Sequence, residues 1–387
     1  VVGSNLAEAH KNPGSDSPGI IGLAGRPCDL GRRHGELLAR EIRLMRRALL
    51  HYFSRFTFYV GALPLFALLQ SLARLSFWRY VPSRLREELQ GVATGAGVGL
   101  PLVLLINSLD DIANNWPSCS ALAVGEGRTS QGFYLAGRNL DYPVFVDVLV
   151  DLQHLFFITL EKGRPLASLA WPGYVGVLTG MNRAGVALAQ LTAMCRDHTL
   201  KGLPGGLRNR LALEQAATVP DLAARLLAHP ATMGNNLLLA NPQEACVLEI
   251  SPRFSAVRRP VDGIITVTNH FQSEAMSPVK GSFPRRPPLA VLSPYHFTEA
   301  YSRARNARLL ELAAGKVLGT ADLQALLGDP GVTNPGTVNS VVFDPAERTL
   351  WIAAKRQPPV SRGDYREFRL WPRPLQSPPG QFRARRT

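Results

Sequence analysis

The sequence predicts an α+β fold in which two mainly antiparallel sheets stack face to face between outer helices. This is a four-layer α-β-β-α sandwich with a helical segment on its N-terminal side. Three observations carry the expectation. Apolar residues recur at helical spacing up to about residue 112; from Ala121 the period becomes two, with Gly, Asn and Pro between the runs; and strands then come in blocks separated by pairs of helices. The period changes inside 116–143, WPSCSALAVGEGRTSQGFYLAGRNLDYP, and the rest of the chain is organised around that stretch.

Before it, Leu37, Leu38, Ile42, Met45 and Leu49 lie on one face of a helix expected over 32–53, with Asp29 as its cap. Residues 56–73 carry no charge, but Pro64, Gln70 and Ser71 lie within and Arg55 and Arg74 at either side. Such a stretch is either an apolar helix, buried or lying on a membrane surface, or a membrane span. Helices over 82–98, ending among Gly95, Gly97 and Gly99, and over 100–112 deliver the chain to Pro117, which forces an extended approach to Cys119.

After it, strands are expected at 121–124, 133–138, 152–160, 166–171, 175–181 and 185–192, with Asn182 to Gly185 as a turn. Helices at 207–217 and 220–228 follow, then strands at 236–240, 245–250, 254–258 and 264–268. Helices at 299–314 and 321–327 and a strand pair at 338–343 and 349–354 complete the pattern. Asn235-Asn236 reads as a turn, with a polar contact in the site as the other reading. The resulting division is a flexible leader (1–20), a mostly helical segment (21–118), a layered core (119–372) and a loose basic tail (373–387).

Composition narrows the function classes. Hydrophobic residues make up 46% and charged residues 19% of the 387, which is a core-forming chain. The net charge of +14 comes mostly from scattered arginines, dense only at Arg383, Arg385 and Arg386; without a reading module, specific nucleic-acid binding is not expected. Cys28, Cys119, Cys195 and Cys246 are widely spaced and no histidine pattern accompanies them. Neither a metal site nor a disulfide framework nor a cofactor is indicated.

Cys119, between Ser118 and Ser120, reads either as a small buried hydrophobe or as a nucleophile. A nucleophilic thiol needs a base. Cutting the Ser118–Cys119 bond would supply one, because the freed α-amine has a pKa of roughly 7.7–8 and sits on the same residue. Arg138 and Asp141 follow nineteen and twenty-two positions later, after one hairpin, and so return beside Cys119. Asp141 then accepts from the α-ammonium and Arg138 favours thiolate, the alternative being a structural ion pair.

A Cys opening a strand and followed after one hairpin by GRNLDYP resembles the N-terminal-nucleophile hydrolases of the choloylglycine hydrolase, acid ceramidase and isopenicillin N acyltransferase-like group. Asp29-Leu30-Gly31 with His34-Gly35-Glu36-Leu37-Leu38, the segment Gly91 to Gly97, the turn Gly180-Met181-Asn182 and Thr268-Asn269-His270-Phe271 resemble further segments of that group, over about 21–358. The resemblance implies self-cleavage before Cys119 and chemistry on an amide-linked acyl group. By the same resemblance Cys119 is the nucleophile, Arg138 and Asp141 partner substrate and α-amine, and Asn269 is an oxyanion donor. Arg305 is the late arginine, with Arg303 and Arg308 as alternatives. Thr192 stands where bile-salt hydrolases carry an Asn, which departs from bile-salt-like specificity.

The leading expectation is a cysteine amidohydrolase acting on an N-acylated small molecule or lipid. An acyltransferase using the same thioester and a non-catalytic binding module are the alternatives. Phe53, Phe56, Phe58, Tyr59, Phe66, Phe77 and Trp78 are either a groove for a lipid acyl group or core packing. Membrane-surface contact through 56–78 and an extracytoplasmic or membrane-associated location are further expectations.

Overall fold

Strand β2 (Ser120–Val124) shows how the layers are made: Ala121 and Ala123 belong to the core between the sheets, while Leu122 and Val124 belong to the core beneath helices. Successive side chains of a strand point to opposite faces, so a strand covered on both sides is apolar throughout, here with its small residues inward. The computed structural model describes residues 17–56, 61–113, 118–142, 145–281, 298–354 and 357–371.

The six-stranded sheet has the order β11-β2-β3-β12-β13-β14, with β3 (Leu135–Asp141), β11 (Ile264–Val267), β12 (Thr337–Asp344), β13 (Thr349–Ala354) and β14 (Asp364–Arg369). The eight-stranded sheet has the order β1-β4-β5-β6-β7-β8-β9-β10. Its strands are β1 (Gly19–Gly25), β4 (His154–Leu160), β5 (Leu166–Ala170), β6 (Thr179–Asn182), β7 (Ala187–Thr192), β8 (Asn235–Ala240), β9 (Ala245–Ile250) and β10 (Ser255–Arg258). Among the named strands the β1–β4 ladder is parallel and the others are antiparallel.

Helices α9 (Glu299–Ala313) and α10 (Thr320–Gly328) cover the six-stranded sheet, and α7 (Gly205–Leu213) and α8 (Val219–Leu227) the eight-stranded one. The N-terminal helices are α1 (Pro27–Leu37), α2 (Ala39–Phe56), α3 (Ala62–Phe77), α4 (Ser83–Ala96) and α5 (Leu100–Ala113), and a short α6 (Val146–Asp151) follows β3. The fold is the expected four-layer α+β sandwich.

Several local expectations are corrected. The helix over 32–53 is two helices, because Leu38 leaves helical dihedrals (φ −117°, ψ 23°) while remaining buried, so the apolar pattern runs across the break. Asp29 lies in the first turn of α1, bonded to Arg26 and Arg32, and does not cap it. The strand expected at 175–181 begins only at Thr179. The leader ends before Gly19, since β1 pairs with β4; its glycine-rich sequence has little strand propensity of its own. Also unforeseen are α6 and the charged edge strand β14. The turn expected at Asn235-Asn236 is the first part of β8. The approach through Pro117, most of the leader and the tail at 373–387 lie outside the described residues.

Glycines explain the early motif. A Cβ on Gly31 would sit 1.9 Å from the Glu88 carbonyl oxygen, and one on Gly95 2.1 Å from that of Arg32. Gly35 and Gly91 are equally closed, so α1 and α4 cross with their backbones in contact. His34, on the same helix, accepts the Gly173 N–H at 2.9 Å; Asn182 in the later turn accepts from Ala184 and Val186 and donates to the Leu213 and Ala216 carbonyls. These motif residues hold backbone together.

Candidate active site

Cys119 stands one residue before β2 and two before Ala121, on the face toward the other sheet, 7% exposed. The antiparallel register sets Ala121 opposite Arg138, which puts the Arg138 side chain on that same inner face. Its guanidinium crosses to the eight-stranded sheet, donating to Thr179 Oγ1 and, from Nη2, to the Gln190 carbonyl at 2.7 Å. Burial pushes the Cys119 thiol up; Arg138, the Asp141 backbone N–H and Arg305 pull the other way without overcoming it. The Arg138 charge acts in favour of thiolate, but burial outweighs it.

Asp141 closes β3. Its Oδ2 accepts from Asn334 Nδ2 at 2.5 Å and from Arg305 Nη1 at 3.5 Å, while Oδ1 has no partner among the described residues. Burial raises its pKa to about 6 against the pull of Arg305, Thr337, Asn334 and Arg138.

Asn269 follows β11. It donates through Nδ2 to the Thr192 carbonyl at 2.8 Å and accepts on Oδ1 from Arg305 Nη2 at 2.9 Å. Its backbone N–H donates to Ser302 Oγ at 2.9 Å. Asn236 braces it from the other sheet: one amide group donates to the carbonyls on either side of Asn269, Thr268 O at 2.8 Å and His270 O at 3.1 Å.

Arg305 binds these pieces into one cluster. Nη1 donates to the carbonyl oxygens of Ser118 and, at 3.0 Å, Cys119, and the guanidinium carbon lies 4.6 Å from the centre of the Tyr301 ring. Tyr301, Ser302 and Arg305 share one face of α9 at three- and four-residue spacing. Arg303 instead pairs with Glu299, and Arg308 with Asp329 and Glu311, both partly in solvent. Of the three candidate arginines, the geometry brings Arg305 to Cys119.

Residues 128–358, more than half of the chain, match the family of acyl-coenzyme A:6-aminopenicillanic acid acyl-transferases. The chain belongs to that family. The matched span holds Arg138, Asp141, Asn269 and Arg305 and begins just after Cys119. An uncharacterized protein of Archaeoglobus fulgidus is 26% identical to this acyl-transferase-family chain over 228 residues, 52% of this chain and 38% of that protein. The chain therefore spans well under two thirds of that relative. Protein dcd1A of Dictyostelium discoideum is 20% identical over 363 residues, 87% of this chain and 79% of that one. Among solved structures, the Caenorhabditis elegans ortholog of N-acylethanolamine-hydrolyzing acid amidase superposes with a TM-score of 0.42 at 16% identity, covering 59% of this chain and 93% of that one.

In this family member two cavities adjoin, one of them at the cysteine. One, partly open to solvent, is lined by Cys119, Asp141, Tyr142, Gln190 and Thr192. The other is walled by Met45, Leu49, Ile106, Leu109, Phe145 and Trp171. Asp110, Tyr142 and Gln190 line both. At this junction the Tyr142 hydroxyl donates to Asp110 at 2.5 Å, and burial raises the Asp110 pKa to about 6.

Of the two readings of the early aromatics, core packing holds for those described: Phe53, Phe66 and Phe77 are core residues, 8%, 3% and 0% exposed, and Trp78 is half-buried. Phe58, Tyr59 and the Phe56 side chain lie outside what the structure describes. Sequence reasoning also missed Asn334, Tyr301, Ser302 and the Asp110–Tyr142 pair. The turn-forming Asn334-Pro335-Gly336 was the one available signal; Tyr301 and Ser302 lie among the charges of α9, and nothing local pairs Asp110 on α5 with Tyr142. Among the described residues no group of three or more His, Cys, Asp and Glu is placed to hold a metal, and Cys28, Cys119, Cys195 and Cys246 are free thiols.

Proposed function

We propose that the protein is a self-processing cysteine amidohydrolase of the N-terminal-nucleophile type, acting on the amide bond of an N-acylated small molecule or lipid. The observation that carries this reading is the contact of Arg305 with the carbonyl oxygens of Ser118 and Cys119. A cation on the Ser118 oxygen polarises the carbonyl that the neighbouring thiol must attack, and it stabilises the oxyanion that results.

Processing then runs in two steps. Cys119 Sγ attacks the Ser118 carbonyl carbon, the peptide C–N bond breaks, and the Cys119 nitrogen leaves as an amine, giving a thioester. Water hydrolyses the thioester, leaving a Ser118 carboxylate and a Cys119 with free thiol and free α-amine. That amine accepts the thiol proton in turnover, and the thiolate attacks the substrate amide carbonyl. The proton passes to the leaving amine, and water releases the acyl group from the second thioester.

The surrounding groups suit these roles. Asp141 Oδ1, buried and unpartnered among the described residues, is an acceptor for the α-ammonium. Asn269 Nδ2 has one hydrogen on Thr192 O, leaving the other for the oxyanion. The apolar cavity beside the cysteine suits an apolar acyl group.

Intact-mass spectrometry with N-terminal sequencing tests the reading. The expected result is a fragment beginning at Cys119 in the wild type, an uncut chain for Cys119→Ala, and hydrolysis of N-acyl amides by the cut form only. A cut and active Cys119→Ala protein would overturn it. Family membership favours a second reading, in which an amine instead of water takes the acyl group from the thioester. Adding an acceptor amine to the assay and weighing the N-acyl product separates the two.

A further inference from the structure

We propose that the solvent face of α3 docks this protein in the plane of a lipid bilayer surface rich in anionic phospholipid. A surface helix ordinarily turns charges outward. Helix α3 does the reverse: its exposed positions are Leu63, Pro64, Ala67, Leu68, Ser71 and Leu75, none of them charged. Leu63, Leu68 and Leu75 are 68%, 63% and 78% exposed. The opposite face is already used, since Phe66, Ala73 and Phe77 are buried in the core. Helix α3 is therefore apolar on both sides, with one side still uncovered among the described residues, and covering it releases water from three leucines.

The charges that accompany this helix, on α2 packed against it and at its C-terminal end, identify what covers it. Residues 39–80 hold seven arginines and a single acid, Glu41. Of these, Arg40, Arg43, Arg46, Arg47 and Arg79 are exposed. Trp78, just beyond α3, is held between the guanidinium groups of Arg74 at 4.7 Å and Arg86 at 5.2 Å, an aromatic and two cations at the end of an apolar helix. Basic residues beside an apolar helix face are the pattern that binds anionic bilayers, apolar side in the acyl boundary and arginines at the phosphates. A second copy of the chain would bring two arginine clusters together and be repelled.

The sixteen residues of α3 are too few to cross a bilayer, and no helix among the described residues is long and apolar enough to do so, so the helix lies in the interface. It packs on α2 and α5, the helices that contribute Met45, Leu49, Ile106 and Leu109 to the wall of the apolar cavity. Docking would bring that wall close to the membrane. The proposal is independent of the amidase reading, because binding is measured without turnover.

Flotation with vesicles tests it, using phosphatidylcholine alone and phosphatidylcholine mixed with phosphatidylglycerol, at low and high salt. The full chain is expected to float with the anionic vesicles at low salt and to be released as salt rises. Changing Leu63, Leu68 and Leu75 together to Glu should weaken binding at least about tenfold without altering the melting temperature, since all three are exposed. As a second variant, Arg46→Glu with Arg47→Glu should weaken binding to anionic vesicles while leaving the apolar face intact. Failure of the wild type to float, or equal flotation of the triple-Glu variant, would overturn the proposal. So would a wild-type dimer that the triple change makes monomeric while neither form binds vesicles, since the face would then belong to a second copy.

Discussion

The Arg305 guanidinium donates to the carbonyl oxygen of Ser118, a residue 187 positions earlier in the chain. The contact joins helix α9 to the bond that the proposed self-processing would break. Arg305→Lys keeps the charge but loses the planar fork that reaches Ser118, Cys119, Asp141 and Asn269 together. Conversion to the fragment beginning at Cys119 should slow by about 10²-fold or more in a folded protein. A mass-spectrometric time course indistinguishable from wild type would remove Arg305 from the chemistry.

Asp141 sets an expected acid limit. Its carboxylate is the form that can accept from the α-ammonium, and burial raises its pKa to about 6. That value belongs to the chain with the Ser118–Cys119 bond intact; an α-ammonium beside the carboxylate pulls its pKa down, so the acid limb of turnover should lie below about 6. Turnover should fall as pH drops through that limb, and Asp141→Asn should give low activity whose residual pH profile lacks it. An unchanged limb in the variant would assign the titration to another group.

Asn236 is expected to act through Asn269. Removing the amide that spans the carbonyls of Thr268 and His270 leaves Asn269 held on one side only. Asn236→Ala should lower kcat by roughly 10–10²-fold with little change in KM, because misplacing an oxyanion donor is felt in the transition state. Equal loss in kcat and gain in KM, with a lower melting temperature, would point to a general packing defect.

The α1–α4 crossing has no room for a methyl group. Gly31→Ala drives a Cβ into the Glu88 backbone and should cost at least about 3 kcal/mol in urea unfolding. Gly99→Ala, whose Cβ meets only Pro101 Cδ at 3.5 Å, should change stability by about 1 kcal/mol or less. Similar effects at both positions would contradict the close crossing.

Legibility in the sequence followed local physics. Strands such as β8 and β9 alternate or run apolar over their whole length and were read nearly to the residue, as were α9 and α10. β1 was missed because Gly19, Gly22 and Gly25 have no strand preference, and only the parallel partner β4 makes that segment a strand. Asn235-Asn236 misled because Asn-Asn after a glycine is common in turns; the Asn236 amide is instead consumed by two carbonyls of the opposite sheet.

By itself the sequence determined the layer order and the return of Arg138 and Asp141 beside Cys119, since strand periodicity and a one-hairpin return are local in the chain, while Asn269 and the late arginine entered only through the family resemblance. Only the tertiary structure chose Arg305 over Arg303 and Arg308, brought in Asn334 and Asn236, and assigned the early glycines to a helix crossing. It also settled the early aromatics Phe53, Phe66 and Phe77 as core and showed a mostly apolar cavity walled by α2 and α5. The physical reason is the same in each case. A helix carries side chains in every direction, and which of them meets the cysteine depends on what packs against it, which no local pattern records.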